Sequence, residues 1–259
     1  MCYNIRYLTE RKIKYAQRYG LTPEEISQLE KELELIPENK QNMYFVNAMQ
    51  HPEIPVITNE NPDKIQFFKW GLIPFWVKDE ASAKKIMKQT VNARGESIFE
   101  KPSFRSSARY KRCIVIIDGF FEYHHKNNKT YPFHIIMKNK QPMILAGLWD
   151  VWTNKTTGEI VPTVTIITTQ ANNIMKKIHN NPKRKDSRMP VILKNNEREW
   201  LKNVNSAGDL KILKDILSPL PDEDIVAYPV PKLVGKGGAG NTKKAIEKYE
   251  YPDLDFINE

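Results

Sequence analysis

The sequence predicts a single α+β domain, in which a mixed, mostly antiparallel sheet closes barrel-like around a core with helices on its flanks. Three observations carry that expectation. Apolar runs rich in Val, Ile, Phe and Tyr recur through the chain, divided by short polar turns. Helical signals are confined to short segments beside those runs. No linker rich in Pro, Gly or Ser and no internal repeat divides the 259 residues, so residues 1–259 read as one domain.

The elements follow in order. Thr22-Pro23-Glu24-Glu25 starts a helix, with Thr22 as N-cap, Pro23 at the first helical position and Glu25 completing a capping box. Ile26, Leu29, Leu33 and Ile36 give it an apolar face, and Pro37 ends it. Strands are expected over Arg112 to Asp118, Tyr131 to Lys138, Pro142 to Leu148, Pro162 to Thr169 and Ile225 to Val230. Turns such as His125-Lys126-Asn127-Asn128-Lys129 and Asn154-Lys155-Thr156-Thr157-Gly158 separate several of them. Further helices are expected over Gln170 to Ile178, Asn196 to Lys202 and Asp209 to Leu217. The glycine cluster Lys236 to Asn241 lacks the strand and helix of a phosphate-binding loop.

Composition narrows the class. Hydrophobic content of 40% and charged content of 27% are those of a soluble globular protein. Two cysteines exclude a disulfide framework and point to a reducing compartment. Cys113, inside an apolar run, reads as a small buried hydrophobe. No run approaches the roughly 18 apolar residues of a membrane span. A cytoplasmic monomer without a membrane partner is expected. The net charge of +9 favours polyanions, with basic residues enriched at Lys84-Lys85, Lys101 to Arg112 and Lys176 to Arg188. Interleaved aromatics, as in Arg109-Tyr110-Lys111-Arg112, suit nucleic acid, whereas charge alone suits a solvated lysine-rich surface equally well. His124, His125 and His134 lack a convincing ligand set, so no metal or other cofactor is expected.

Cys2 raises a chemical question. Removal of Met1 would leave it with a thiol and a free α-amine two carbons apart. The amine has an ordinary pKa of roughly 8, against about 10.4 for lysine, so an appreciable share is neutral and nucleophilic near pH 7. An aldehyde could form a Schiff base with that nitrogen and be captured by the sulfur in a five-membered ring. No internal cysteine can make that ring.

Four further stretches accompany Cys2. They are Trp70-Gly71-Leu72-Ile73-Pro74-Phe75-Trp76, Val91-Asn92-Ala93-Arg94-Gly95-Glu96, Asp118-Gly119-Phe120-Phe121-Glu122-Tyr123, and Arg188-Met189-Pro190-Val191-Ile192-Leu193 after His179. Together and in this order they resemble the SRAP family, the SOS-response-associated peptidase-like proteins that process abasic sites in single-stranded DNA. The resemblance runs from Cys2 to Tyr228-Pro229-Val230. It implies that Cys2 becomes N-terminal and forms a thiazolidine with the ring-opened sugar, a crosslink that shields the lesion. It also implies that Asn92, Glu122 and His179 join Cys2 in catalysis.

The residues fit such roles, each beside a plainer one. Glu122, read as closing the strand from Ile114, could move protons between the Cys2 amine and the sugar, or simply face solvent. His179 could protonate the sugar oxygen or only cap a helix C-terminus. Asn92 can donate and accept at once, and Arg94 offers a planar fork for a phosphate; either could instead bond its own loop. Trp70 reads as core, and Trp76 as the ring that stacks on an exposed base. Many family members begin Met-Cys-Gly-Arg; here the nearest arginine to Cys2 is Arg6, on the same side of an extended strand as Asn4. Many also read His-x-Arg-Met-Pro, where this chain inserts Asn180 to Ser187, whose Lys183 and Arg184 are candidate DNA contacts. The alternatives are a thiol peptidase built on Cys2 and His179, and a single-strand-binding module without covalent chemistry.

Overall fold

The structure is a computed structural model, which describes residues 2–8, 22–24, 27, 31 and 42–254. It opens with β1 (Asn4–Leu8), β2 (Asn42–Asn47), β3 (Glu53–Thr58) and β4 (Gln66–Trp70). Helix α1 (Glu80–Gln89) precedes the short β5 (Asn92–Arg94), and α2 (Arg105–Tyr110) leads into β6 (Arg112–Ile117). Then come β7 (Gly119–Lys126), β8 (Lys129–Met137), β9 (Met143–Thr153) and β10 (Ile160–Gln170). The chain continues through α3 (Asn173–Ile178), β11 (Arg188–Pro190), α4 (Glu197–Leu201), α5 (Ala207–Ile216) and β12 (Ile225–Pro229).

The strands form two sheets. Strands β10, β4, β3, β6 and β9 pair in sequence, and β9 returns to β10, closing a five-stranded barrel. The β4–β10 pair is parallel and the other pairs of this ring are antiparallel. Strands β5 and β11 extend β10 beyond the end of β4. The second sheet, in the order β12-β8-β7-β1-β2, is antiparallel throughout. The expected α+β class and barrel-like core are therefore present.

Strand β6 shows why the run Cys113 to Ile117 is uninterrupted by polar residues. Cys113, Val115 and Ile117 face one apolar cluster, with Ile5, Phe120 and Val164. Ile114 and Ile116 face another, with Trp200 of α4 and Leu213 of α5. Both faces are covered, so period-2 alternation gives way to a continuous apolar run. At about 25 cal/mol per Å² of apolar surface, such two-sided burial is the main stabilising contribution here.

A sharp break at Asp118-Gly119 carries the chain from β6 into β7 and from one sheet to the other. A Cβ at Gly119 would lie 2.6 Å from His134 Nε2 and 2.6 Å from the Ile135 carbonyl oxygen, so the close approach requires glycine. Glu122 consequently does not end the strand that begins at Arg112; it is the fourth residue of β7.

Of the helix expected from Thr22 to Ile36, Pro23, Glu24, Ser27 and Lys31 are helical, and the rest lies outside the described residues. Among the described residues, no helix is long and apolar enough to cross a membrane.

Arg112 corrects the reading of residues 101–112 as a basic surface run. Its side chain is fully buried. Nε donates to Trp200 O at 2.7 Å, Nη1 to Ala108 O at 3.0 Å and Arg109 O at 2.6 Å, and Nη2 to Lys202 O. Burial pulls its pKa down to about 10. The guanidinium thereby ties carbonyls at the C-terminal ends of α2 and α4, which would otherwise be left without donors. Arg112→Met should cost about 3–5 kcal/mol of stability, the scale of lost charged hydrogen bonds and orphaned carbonyls. The midpoint of urea unfolding checks it.

Candidate active site

The site assembles where β1, β5, β7 and α3 meet. Cys2 lies two residues before the start of β1 and is 1% exposed. Its carbonyl accepts a hydrogen bond from Asn92 Nδ2 at 2.9 Å, and Ala48 N donates to Tyr3 O at 2.8 Å, so the backbone on both sides of the Cys2–Tyr3 bond is held. The thiol points to Asn4 O at 4.0 Å. Burial, with the Glu122 charge adding to it, pushes the Cys2 thiol far above its ordinary range.

Asn92 and Arg94 owe their placement to strand geometry. Strand β5 runs parallel to β10, pairing Asn92 with Ile166 and Arg94 with Thr168. Ala93 between them is wholly buried, so Asn92 and Arg94 share the opposite face. Upstream, Trp70 Nε1 donates to Val91 O at 2.8 Å, fixing the start of this segment from the core. Trp70 is a core residue, as expected.

Glu122 is buried on the β7 face it shares with Phe120, whose ring lies in the same apolar cluster as Cys2. Its Oε1 accepts from Tyr123 N at 3.2 Å. Strand β1 aligns Asn4 with Phe121, which brings the residues before Asn4 to this part of β7.

His179 is the C-cap of α3, a helix whose Asn172 N-cap accepts from Met175 N. It is not a surface cap. The ring is 6% exposed, and Nδ1 accepts from Arg188 N at 2.9 Å and lies 3.1 Å from Arg188 O. Either neutral tautomer has a backbone partner at Nδ1: the Arg188 N–H when Nδ1 accepts, the Arg188 carbonyl when it donates. Burial lowers the His179 pKa, while the Glu122 charge works in the other direction. The same carboxylate therefore acts on both Cys2 and His179.

The remaining candidates lie on β5, on β1, on segment 180–187 and on the loop after β4. Arg94 is exposed and bonds Asp186 at 3.1 Å. Lys183 and Arg184 are exposed, and the Arg184 charge opposes the burial that raises the Tyr3 pKa. Arg6 is half-buried in β1, where its carbonyl accepts from Asp118 N. Trp76 and Phe75 are 47% and 57% exposed on the separate loop that leaves β4. That loop is pinned by Phe75 N on Asp150 Oδ2 and by Trp152 Nε1 on Val77 O. Among the described residues, no three His, Cys, Asp or Glu side chains converge in a way that could hold a metal ion.

Sequence reasoning missed Asn4, Glu96 and Asp186. The Oδ1 atoms of Asn4 and Asn92 are buried without a hydrogen-bond partner. Glu96 and Asp186 bind Arg188, a buried guanidinium that has to find carboxylates. The apolar run Met189 to Leu193 after Arg188 was the available signal that this arginine is buried.

A family model described as SOS response associated peptidase (SRAP) matches residues 1–237. The chain belongs to the SRAP family. Among curated SRAP relatives, an abasic site processing protein of Bacillus subtilis, YoqW, is 36% identical over 218 residues, covering 83% of this chain and 91% of its own. The abasic site processing protein HMCES of Xenopus tropicalis is 31% identical over 188 residues, covering 64% of this chain and 52% of its own. A crystal structure of a Bacteroides thetaiotaomicron protein superposes with a TM-score of 0.80 at 35% identity, covering 96% of this chain and all of that one.

Proposed function

We propose that this SRAP protein processes abasic sites in single-stranded DNA by crosslinking itself to the lesion through Cys2. The arrangement that carries the reading is the Cys2 carbonyl held by Asn92 beside the buried pair Glu122 and His179. With Met1 removed, the Cys2 amine adds to the aldehyde carbon of the opened sugar. The carbonyl oxygen leaves as water, giving an imine. The sulfur then adds to the imine carbon, its proton passes to nitrogen, and the thiazolidine ring closes with no redox change.

Each residue has work in this sequence. The buried Oδ1 atoms of Asn4 and Asn92 are acceptors that a terminal ammonium or a sugar hydroxyl would satisfy. Glu122 relays the protons of amine addition, water loss and sulfur addition. His179 protonates the ring oxygen as the sugar opens. Arg94, Lys183, Arg184 and Arg6 offer contacts to phosphates, and Trp76 a face for a base.

A thiol peptidase is the weaker reading, because its nucleophile is a thiolate with a lowered pKa, and the Cys2 thiol is shifted the opposite way. The thiazolidine route starts from the amine and tolerates a protonated thiol.

Denaturing electrophoresis tests the proposal. Wild-type protein should give a covalent band with a single strand carrying a natural abasic site, and none with a tetrahydrofuran analogue that lacks the aldehyde. A band with both, or with neither, would overturn it. Glu122→Gln should keep binding and slow band formation by about 10²–10⁴, the range of one acid–base group. Lost affinity with an unchanged rate per bound complex would remove Glu122 from the chemistry.

A further inference from the structure

This inference rests on the DNA reading above and concerns what already occupies the candidate phosphate site. Segment 180–187, between His179 and Arg188, is tied to its surroundings through the side chains of Asn180, Ser187 and Asp186. The Asn180 side-chain amide bonds both the N–H and the carbonyl of His125. Ser187 Oγ donates to His179 O at 2.7 Å. Asp186 places Oδ1 at 3.1 Å from Arg94 Nη2 and Oδ2 at 3.2 Å from Arg188 Nη1.

Arg188 does not depend on Asp186. Glu96 holds it with two contacts, at 2.7 and 3.1 Å, and Thr168 accepts from it through its carbonyl and its hydroxyl. Asp186 is thus free to leave without orphaning a buried cation. Arg94 differs: its side chain is 56% exposed, it bonds Asp186, and it is the fork the DNA reading gives to a phosphate.

We infer that Asp186 is a built-in competitor for the DNA phosphate at Arg94, a specificity-determining residue that weakens the hold on any strand arriving there. A phosphate and the Asp186 carboxylate are both anions seeking the same guanidinium edge, so the phosphate binds when Asp186 swings aside. The movement draws on segment 180–187. An undamaged strand gains nothing further from that displacement and dissociates. A strand carrying the aldehyde is captured covalently.

Fluorescence anisotropy with a labelled, undamaged oligothymidylate tests this without any crosslinking. Asp186→Asn should tighten binding by about threefold to tenfold, the scale of one exposed ion pair plus one removed repulsion. The slope of log K against log salt should steepen by up to about 0.7, the value of one single-strand phosphate contact. Asp186→Ala should behave alike, and in an Arg94→Ala background the tightening should vanish. Equal or weaker binding by both Asp186 variants, or a gain that survives without Arg94, would overturn the inference alone. Failure of the wild type to bind the strand at all would overturn the DNA reading itself, and this inference with it.

Discussion

Cys2→Ala should yield no gel-stable product with an abasic strand, the largest effect expected of any substitution in this protein. The variant keeps an α-amine at position 2 and loses only sulfur. It should still form a Schiff base, which hydrolyses on denaturation and is seen only when borohydride reduces it first. Cys2→Ser should behave alike, because a neutral hydroxyl is a far poorer nucleophile than sulfur toward the imine. Comparing gels with and without reductant separates the roles of the two groups. A stable, unreduced band from Cys2→Ala would mean that another residue makes the bond.

His179→Ala should slow crosslinking to a natural abasic site by about 10²–10⁴, the usual contribution of one general acid. The sugar is mostly a closed ring, and opening needs a proton on its oxygen. A substrate with a permanently open aldehyde should escape most of the loss. The pH dependence has a definite sign. Burial lowers the His179 pKa from its ordinary value of about 6.5, so the ring is neutral at pH 7 and becomes cationic only at more acid pH. Crosslinking to the closed sugar should therefore accelerate as pH falls below 6.5 toward the lowered value, and His179→Ala should remove that rise. The same shift affects folding: the unfolded chain takes up the proton near pH 6.5 and the native state later. The His179 contribution to stability is thus present above 6.5 and lost as pH falls through the native value. Equal slowing on closed and open substrates would place His179 at the Schiff-base step instead.

What could be read from the sequence depended on how local its physical cause was. The run Cys113 to Ile117 announced β6 because two-sided burial leaves a continuous apolar string. The capping box expected at Thr22 was legible, yet Glu25, which completes it, lies outside the described residues. A second such signal went unread: Asp79 caps α1 through Ser82 N at 2.8 Å. Strands β1 to β4 are set by partners far along the chain, such as Ile5 against Phe120 and Val56 against Val115, and carry weak alternation of their own. Glu122 was placed at the end of a strand because nothing local reveals that Gly119 starts a new one; the contact with His134 and Ile135 does.

The candidate site was legible in its residues and not in its wiring. The motif around Asn92 and Arg94 follows from period-2 geometry once β5 is known. The burial of His179 does not follow from its position at a helix end; it comes from the bond to Arg188 across the inserted segment. Asp186 gave no signal at all. An acidic residue directly after the run Lys183-Arg184-Lys185 reads as noise until the fold sets it between Arg94 and Arg188.

The central claim is that both the amine and the thiol of Cys2 are consumed by one aldehyde carbon. Intact mass spectrometry of the unreduced crosslink, followed by digestion and mapping of the first peptide, tests it most directly. The account predicts Met1 absent, a mass equal to protein plus strand less one water, and a Cys2 that neither alkylates at sulfur nor labels at its α-amine. A stable crosslink on protein that retains Met1, or one whose Cys2 sulfur still alkylates, would contradict it.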